Sequence, residues 1–172
     1  MAFNIANFQQ KLVGEGARPT LFEARIFFPG LEEDNFTFQC KAAQLPGKTL
    51  GVIEVPYFGR RIKVAGDQTF TEWTVTVIMD ESFNARNAFE KWMSGINSHW
   101  NNLRDTPNYM ADSEVLQYDK TGNVIKTYKF KGMWPSDISP VDVSWESNDA
   151  LEEFTVTLQY QVWESDGVTD RS

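Results

Sequence analysis

The stretch Glu153-Phe154-Thr155-Val156-Thr157-Leu158-Gln159-Tyr160-Gln161-Val162 alternates without a break. Phe154, Val156, Leu158, Tyr160 and Val162 fall on one face of a strand, and Glu153, Thr155, Thr157, Gln159 and Gln161 on the other. The first face demands a core. The second is polar, medium-sized and almost uncharged, which suits either an ordinary exposed sheet or the wall of an aqueous channel. Thr69 to Met79 repeats the design, with Glu72, Thr74 and Thr76 on one face and Trp73, Val75 and Val77 on the other. Slipping either strand by one residue would turn its apolar set to water, so the register is strongly specified.

Working outward, alternation dominates the rest of the chain. Leu21 to Phe28 reads as a strand closed by Pro29-Gly30. Phe36 to Ala42 reads as another, ending at Leu45-Pro46-Gly47, with Pro29 to Asn35 as the loop between them. Val52 to Val64 is interrupted by Pro56 and Gly59. The segment Pro46 to Gly59 is expected to be too broken for a regular strand and to project as a loop or hairpin. Gly66-Asp67 reads as a turn before a single strand from Thr69 to Met79. Ser82 is the expected N-cap of a helix over residues 83–97, whose stripe of Phe83, Phe89, Trp92, Met93 and Ile96 reads as core. A polar loop, Asn97 to Asp112, precedes strands at Glu114–Tyr118 and Val124–Lys131, joined by a turn at Asp119–Asn123. Pro135 and Pro140 make Gly132 to Ser144 an irregular or edge segment. Glu153 to Trp163 closes the fold as one strand, and Glu164 to Ser172 trails as a tail. The expectation is one mainly β domain over 1–172. Its core is about 17–164, with one flanking helix, and its termini, 1–16 and 165–172, are flexible or contact-making.

Composition narrows the function. The chain has 172 residues with 16 basic and 24 acidic side chains, a net charge of −8. Nine of the acids and one base, Arg171, lie in residues 132–172, so that segment carries the whole excess. A nucleic-acid binder needs the reverse, a basic footprint. One Cys and one His, Cys40 and His99, exclude Cys/His zinc clusters and an internal disulfide. No phosphate-cradling, dinucleotide-binding or nucleophile-elbow motif occurs. No enzyme activity and no cofactor are expected. No apolar run approaches the roughly 20 residues of a membrane helix, and the first residues lack the pattern of a signal peptide. A soluble protein made in a cytoplasm is expected. The small basic groups, Arg60-Arg61 with Lys63 and Lys126-Lys129-Lys131, fit pairing with an acidic neighbouring subunit better than nucleic acid. Long strands also need protected edges, which assembly would supply.

Several segments carry a resemblance. Ala17-Arg18-Pro19-Thr20-Leu21-Phe22, Asn35 to Ala42 and Leu45-Pro46-Gly47 belong to it, as does Arg61 to Phe70 running on through Glu72-Trp73-Thr74-Val75-Thr76-Val77. Ala85-Arg86 with Phe89 and Trp92, Lys131 to Pro135, and Phe154 to Leu158 complete it. The chain resembles the tail tube proteins of contractile-tailed bacteriophages, particularly the T-even-like group. The resemblance implies a β-sandwich or barrel-like subunit that closes into rings of six through one continuous inner β-barrel. Rings would stack into a tube inside a contractile sheath, a virion component assembled in the host bacterial cytoplasm. Implied partners are further copies of the chain, the tail sheath protein, and baseplate and tail-terminator proteins. A tape measure protein and DNA would pass through the lumen without specific binding, and no membrane insertion is implied. On that reading Glu72, Thr74, Thr76, Glu153, Thr155, Thr157, Gln159 and Gln161 are expected to line the lumen. Val52, Ile53, Val55, Tyr57 and Phe58 would contact the adjacent ring. Two alternatives are an effector-carrying tube of a type VI or related injection system, and a carboxylate-dependent enzyme on a β-sandwich.

Overall fold

The computed structural model describes residues 5, 10–12, 16–29, 40–100, 109–146 and 150–166. At its centre β5 (Trp73–Ile78) and β8 (Glu153–Gln159) pair antiparallel, with like opposite like. Trp73 stands against Leu158, Val75 against Val156 and Val77 against Phe154; Thr74 stands against Thr157 and Thr76 against Thr155. The apolar pairs are buried, each such side chain contributing about 1.5–3 kcal/mol, so the alternation in sequence fixes both face and register.

Among the described residues four strands make this inner sheet. β2 (Cys40–Ala43) pairs with β5, and the Trp134–Ile138 part of β7 (Val124–Ile138) pairs with β8. The earlier part of β7 belongs to a second sheet with β1 (Phe22–Ile26), β6 (Ala111–Tyr118) and β9 (Val162–Ser165). The core lies between the two sheets, where Trp73 of β5 stacks on Phe130 of β7 with ring centroids 4.6 Å apart. Helix α1 (Asn84–Ile96) closes one side through Ala85, Ala88, Phe89 and Trp92, with Phe28 edge-on to Phe89 at 4.8 Å. The buried indoles are satisfied: Trp73 Nε1 donates to the Gln44 carbonyl at 2.6 Å and Trp92 Nε1 to the Tyr109 carbonyl at 2.7 Å.

The Pro46 to Gly59 segment corrects the sequence reading. Lys48–Tyr57 is a regular ten-residue strand, β3, and with β4 (Arg60–Phe70) it forms a separate two-stranded hairpin. Each apparent breaker occupies a place that tolerates it. Phe58 and Gly59 take positive φ, 41° and 83°, and form the two-residue turn. That turn makes Tyr57 and Arg60 the hydrogen-bonded pair, so Pro56, opposite Arg61, falls where no ladder bond is due. Gly66-Asp67 is no turn: it lies inside β4, two residues opposite the single Gly51, as a β-bulge. A Cβ on Gly66 would lie 3.2 Å from the Gly51 carbonyl, so glycine permits the close approach.

Other boundaries also move. The expected single strand Thr69–Met79 is interrupted at Thr71-Glu72, where the chain leaves its β3 partner for β8. The helix is not capped by Ser82. Phe83 precedes it with φ 54°, and the Asn84 backbone N–H donates to the Asp80 carboxylate at 3.2 Å. Of the two readings of Gly132 to Ser144, edge holds and irregular does not as far as Ile138: β7 runs unbroken to that residue at the margin of the inner sheet, bending at Gly132 (φ 63°), with Pro135 buried beside a register shift. Glu153–Trp163 divides at Tyr160-Gln161, and Glu164 and Ser165 belong to β9 rather than to a tail. The Asn97–Asp112 loop ends earlier than expected, since β6 starts at Ala111. Most of the expected Phe36–Ala42 strand, the Pro29–Asn35 loop and the chain termini lie outside the described residues.

Candidate functional site: a polar sheet face and a projecting hairpin

The polar side of the inner sheet gathers seven of the eight lumen candidates. Thr74/Thr157 and Thr76/Thr155 form directly opposed pairs, and Glu153 stands opposite Ile78. Glu72 precedes β5, yet its carboxylate accepts from Gln159 Nε2 at 3.1 Å, which ties it to the end of β8. Gln161 is set apart. It lies beyond β8, its backbone N–H donates to the Lys131 carbonyl at 3.0 Å, and its side chain covers Gly132.

Register adds residues that alternation in one strand cannot reveal. Ala42 of β2 lies opposite Thr76, and Asp137 of β7 opposite Thr157. Lys41 sits in the irregular step of β2 and makes an ion pair with Glu153. The face therefore carries Glu72, Asp137 and Glu153 against one ammonium. Among the described residues, neither the outer edge of β2 nor the far edge of β7 along Trp134–Ile138 has a strand partner. A four-stranded sheet with two open edges and two finished faces can continue from copy to copy.

The hairpin is the second feature. Val52, Ile53, Val55, Tyr57 and Phe58 are all exposed, as expected, but they do not form one surface. Ile53, Val55 and Tyr57 share a face with Ile62 and Val64 of β4, two residues that the sequence reading did not select. Val52 shares the opposite face with Glu54, Arg61 and Lys63, where Arg61 Nη1 donates to Glu54 Oε2 at 2.8 Å. Phe58 caps the tip at 92% exposure. Among the described residues only the base is anchored. There Trp163 Nε1 donates to the Gly47 carbonyl at 3.3 Å, the Lys48 ammonium lies 5.3 Å from the Trp163 ring, and Phe70 meets Tyr160.

Comparison with known proteins bears directly on this arrangement. The profile of the family described as phage tail tube protein matches residues 17–166. The chain belongs to that family. The tail tube protein gp19 of Enterobacteria phage T4 is 38% identical over 154 residues, covering 88% of this chain and 93% of gp19. The tail tube protein of Serratia phage KSP90 is 31% identical over 129 residues, covering 74% of this chain and 71% of its own. The fold also matches a chain in the sheath-tube complex of an extracellular contractile injection system. The TM-score is 0.65 at 17% identity, over 93% of this tail tube protein and 97% of that chain. The family match spans both sheets, the helix and the hairpin of the tail tube protein.

A second cluster of ionisable groups in this tail tube protein is built into the outer sheet. On the outer sheet Arg25 donates to Glu23 at 2.6 Å and to Glu114 at 3.1 Å, and Tyr118 donates to Glu23. Partial burial works to raise the Glu23 pKa, but the bonds from Arg25 and Tyr118 outweigh it and hold the carboxyl below its ordinary range. Burial pushes the Cys40 thiol up to about 11, so at neutral pH it is an unreactive thiol.

Proposed function

We infer that this chain is a structural virion protein and that its copies build the tube of a contractile phage tail. Six copies join edge to edge, β2 of one subunit beside the Trp134–Ile138 edge of the next, into a ring with a continuous inner barrel. Rings stack inside a sheath, and the tube ends on baseplate and terminator proteins. The observation that carries the reading is the inner sheet itself, two-faced and, among the described residues, open at both edges. Its apolar face is consumed by the subunit's own core, so the Thr, Gln and Glu face is left for the lumen.

Glu72, Thr74, Thr76, Glu153, Thr155, Thr157 and Gln159, with Asp137, form that lining, and Gln161 lies at its margin. A tape measure protein and then DNA pass along it. A hydrated wall with a carboxylate excess keeps a polyanion moving rather than bound. The hairpin residues Val52, Ile53, Val55, Tyr57 and Phe58 reach the adjacent ring, since the two-stranded sheet buries little within its own chain. Nothing in this role asks for a catalytic group or a cofactor. Similarity of 38% to a phage tube protein, against 17% to the injection-system chain, favours a phage tail over an effector-carrying tube.

Electron microscopy of the concentrated chain, alone and with baseplate as nucleus, tests this. Six-fold rings and hollow tubes are expected. A compact monomer under every nucleating condition refutes it.

A further inference from the structure

Two surfaces are left unsatisfied within the described chain, and they are complementary. One is the hairpin tip, where Tyr57, Phe58 and Ile62 are exposed, with Arg60 on the Tyr57 face and Lys63 on the opposite face beside the paired Arg61 and Glu54. The other is the connection between β7 and β8, where Val143, Trp145 and Leu151 are exposed beside Asp142, Glu146 and Glu152. Trp145 buries nothing at all. Among the described residues, none of these two basic and three acidic side chains makes an ion pair. Each surface joins bare apolar groups to an excess of charge of one sign, and the signs are opposite.

The two surfaces do not meet within one copy, where Phe58 is 92% and Trp145 101% exposed. The hairpin leaves the body beside Trp73, which pairs with Leu158 at one end of β8; the acidic connection enters at Glu153, which pairs with Ile78 at the other end. Seven residues of strand, roughly 23 Å, separate the two ends. The ten-residue arm of β3 can carry the tip a further 33 Å or so from its base.

We propose that the basic, apolar hairpin tip seats on the acidic, apolar β7–β8 connection of a second copy in the next ring. Phe58 and Trp145 form the desolvated centre of the contact, and Arg60 and Lys63 face Asp142, Glu146 and Glu152 around it. The contact is head-to-tail. Each added ring therefore presents a fresh hairpin or a fresh acidic pole, and growth stays open along one axis. The inference rests on the tube reading and names the surface that receives the hairpin.

Charge reversal in the full chain tests it. Arg60→Glu with Lys63→Glu, or Asp142→Lys with Glu146→Lys and Glu152→Lys, is expected to cut tube growth about tenfold or more, because like charges then meet. Combining both sets restores the pairing and with it growth. A second measurement guards against a variant that fails to fold: Arg60→Cys with Glu146→Cys, which keeps Phe58 and Trp145 and changes only the rim, in a Cys40→Ser background, should give an oxidised ladder of cross-linked copies when tubes assemble. Restored growth or the ladder supports the contact, and the absence of both overturns it. Reversals that leave tubes of normal length but stop added sheath protein from coating them also overturn it, assigning the acidic connection to the sheath. If the unaltered chain forms neither rings nor tubes, the tube reading has itself failed.

Discussion

Asp119 closes the β6–β7 turn almost alone. Its carboxylate accepts from the Thr121 hydroxyl at 2.6 Å, from the Thr121 N–H at 2.7 Å and from the Asn123 N–H at 2.9 Å. The Thr121 hydroxyl bond, then those from the Asn123 and Thr121 backbone, lower its pKa from 3.8 to about 2. The folded value lies below the unfolded one, so the stabilisation is complete above about 3.8 and is lost as pH falls through about 2. Asp119→Ala is therefore expected to melt below wild type at neutral pH, with the gap closing across that acid window. Thermal melts of both proteins over the range check this; a gap that does not change with pH would show that the carboxylate's charge is not what holds the turn. Phe58 presents the opposite case. A phenylalanine at φ 41° costs about 1 kcal/mol or more relative to a residue suited to the left-handed region. Phe58→Asn should stabilise the isolated subunit by up to about 1 kcal/mol, read from denaturant midpoints, and at the same time weaken tube growth. A variant that loses subunit stability would mean that Phe58 is held by its own chain.

At the scale of elements, what the sequence disclosed depended on whether one periodicity ran unbroken. β5 and β8 were legible because Thr alternates with Val, Phe and Leu through both, and their pairing follows from burial of the apolar face. The hairpin was not, because Gly51, Pro56, Gly59 and Gly66 each read locally as an interruption. Only the partner strand shows that one pair forms a bulge, one falls between ladder bonds and one makes the turn. Pro135 hid the second half of β7 for the same reason. The polar face could be read from two strands, but Lys41 and Asp137 join it through β2 and β7, and register with a distant segment leaves no mark in either sequence. Gly66 offers a test confined to one element. A side chain there would press on the Gly51 backbone at 3.2 Å and open the bulge. Since the hairpin packs away from the core, Gly66→Val should change the unfolding free energy of the body by no more than about 0.5 kcal/mol, yet abolish tube assembly. Hydrogen exchange separates the two regions. Lost protection in β5 and β8 would show that hairpin and core are not independent.

For the whole assembly, the question is what a wall must do to let a polyanion pass. On the proposed lining Glu153 would not face the channel as a bare carboxylate, because Lys41 pairs with it, and Glu72 is engaged by Gln159. Asp137 is exposed and takes no such partner among the described residues. Each charge is weak alone and screened beyond about 8 Å at physiological salt. In the proposed ring every charge would recur around the wall, and stacking would repeat the ring along the tube, so transit would depend on the sum of many small repulsions. Glu72→Lys with Glu153→Lys reverses that sum and also strips Lys41 of its partner. The apolar faces of β5 and β8 are untouched, so tubes should still assemble while the channel retains DNA and slows its release. The matched Glu→Gln pair removes charge without adding attraction and should slow release far less. Release kinetics from phage carrying each pair separate charge from shape, and the effect should be largest at low salt, where screening is weakest. If the lysine variant releases DNA at the wild-type rate at low salt, the carboxylates do not govern passage. The wall would then act through its threonine and glutamine hydration alone.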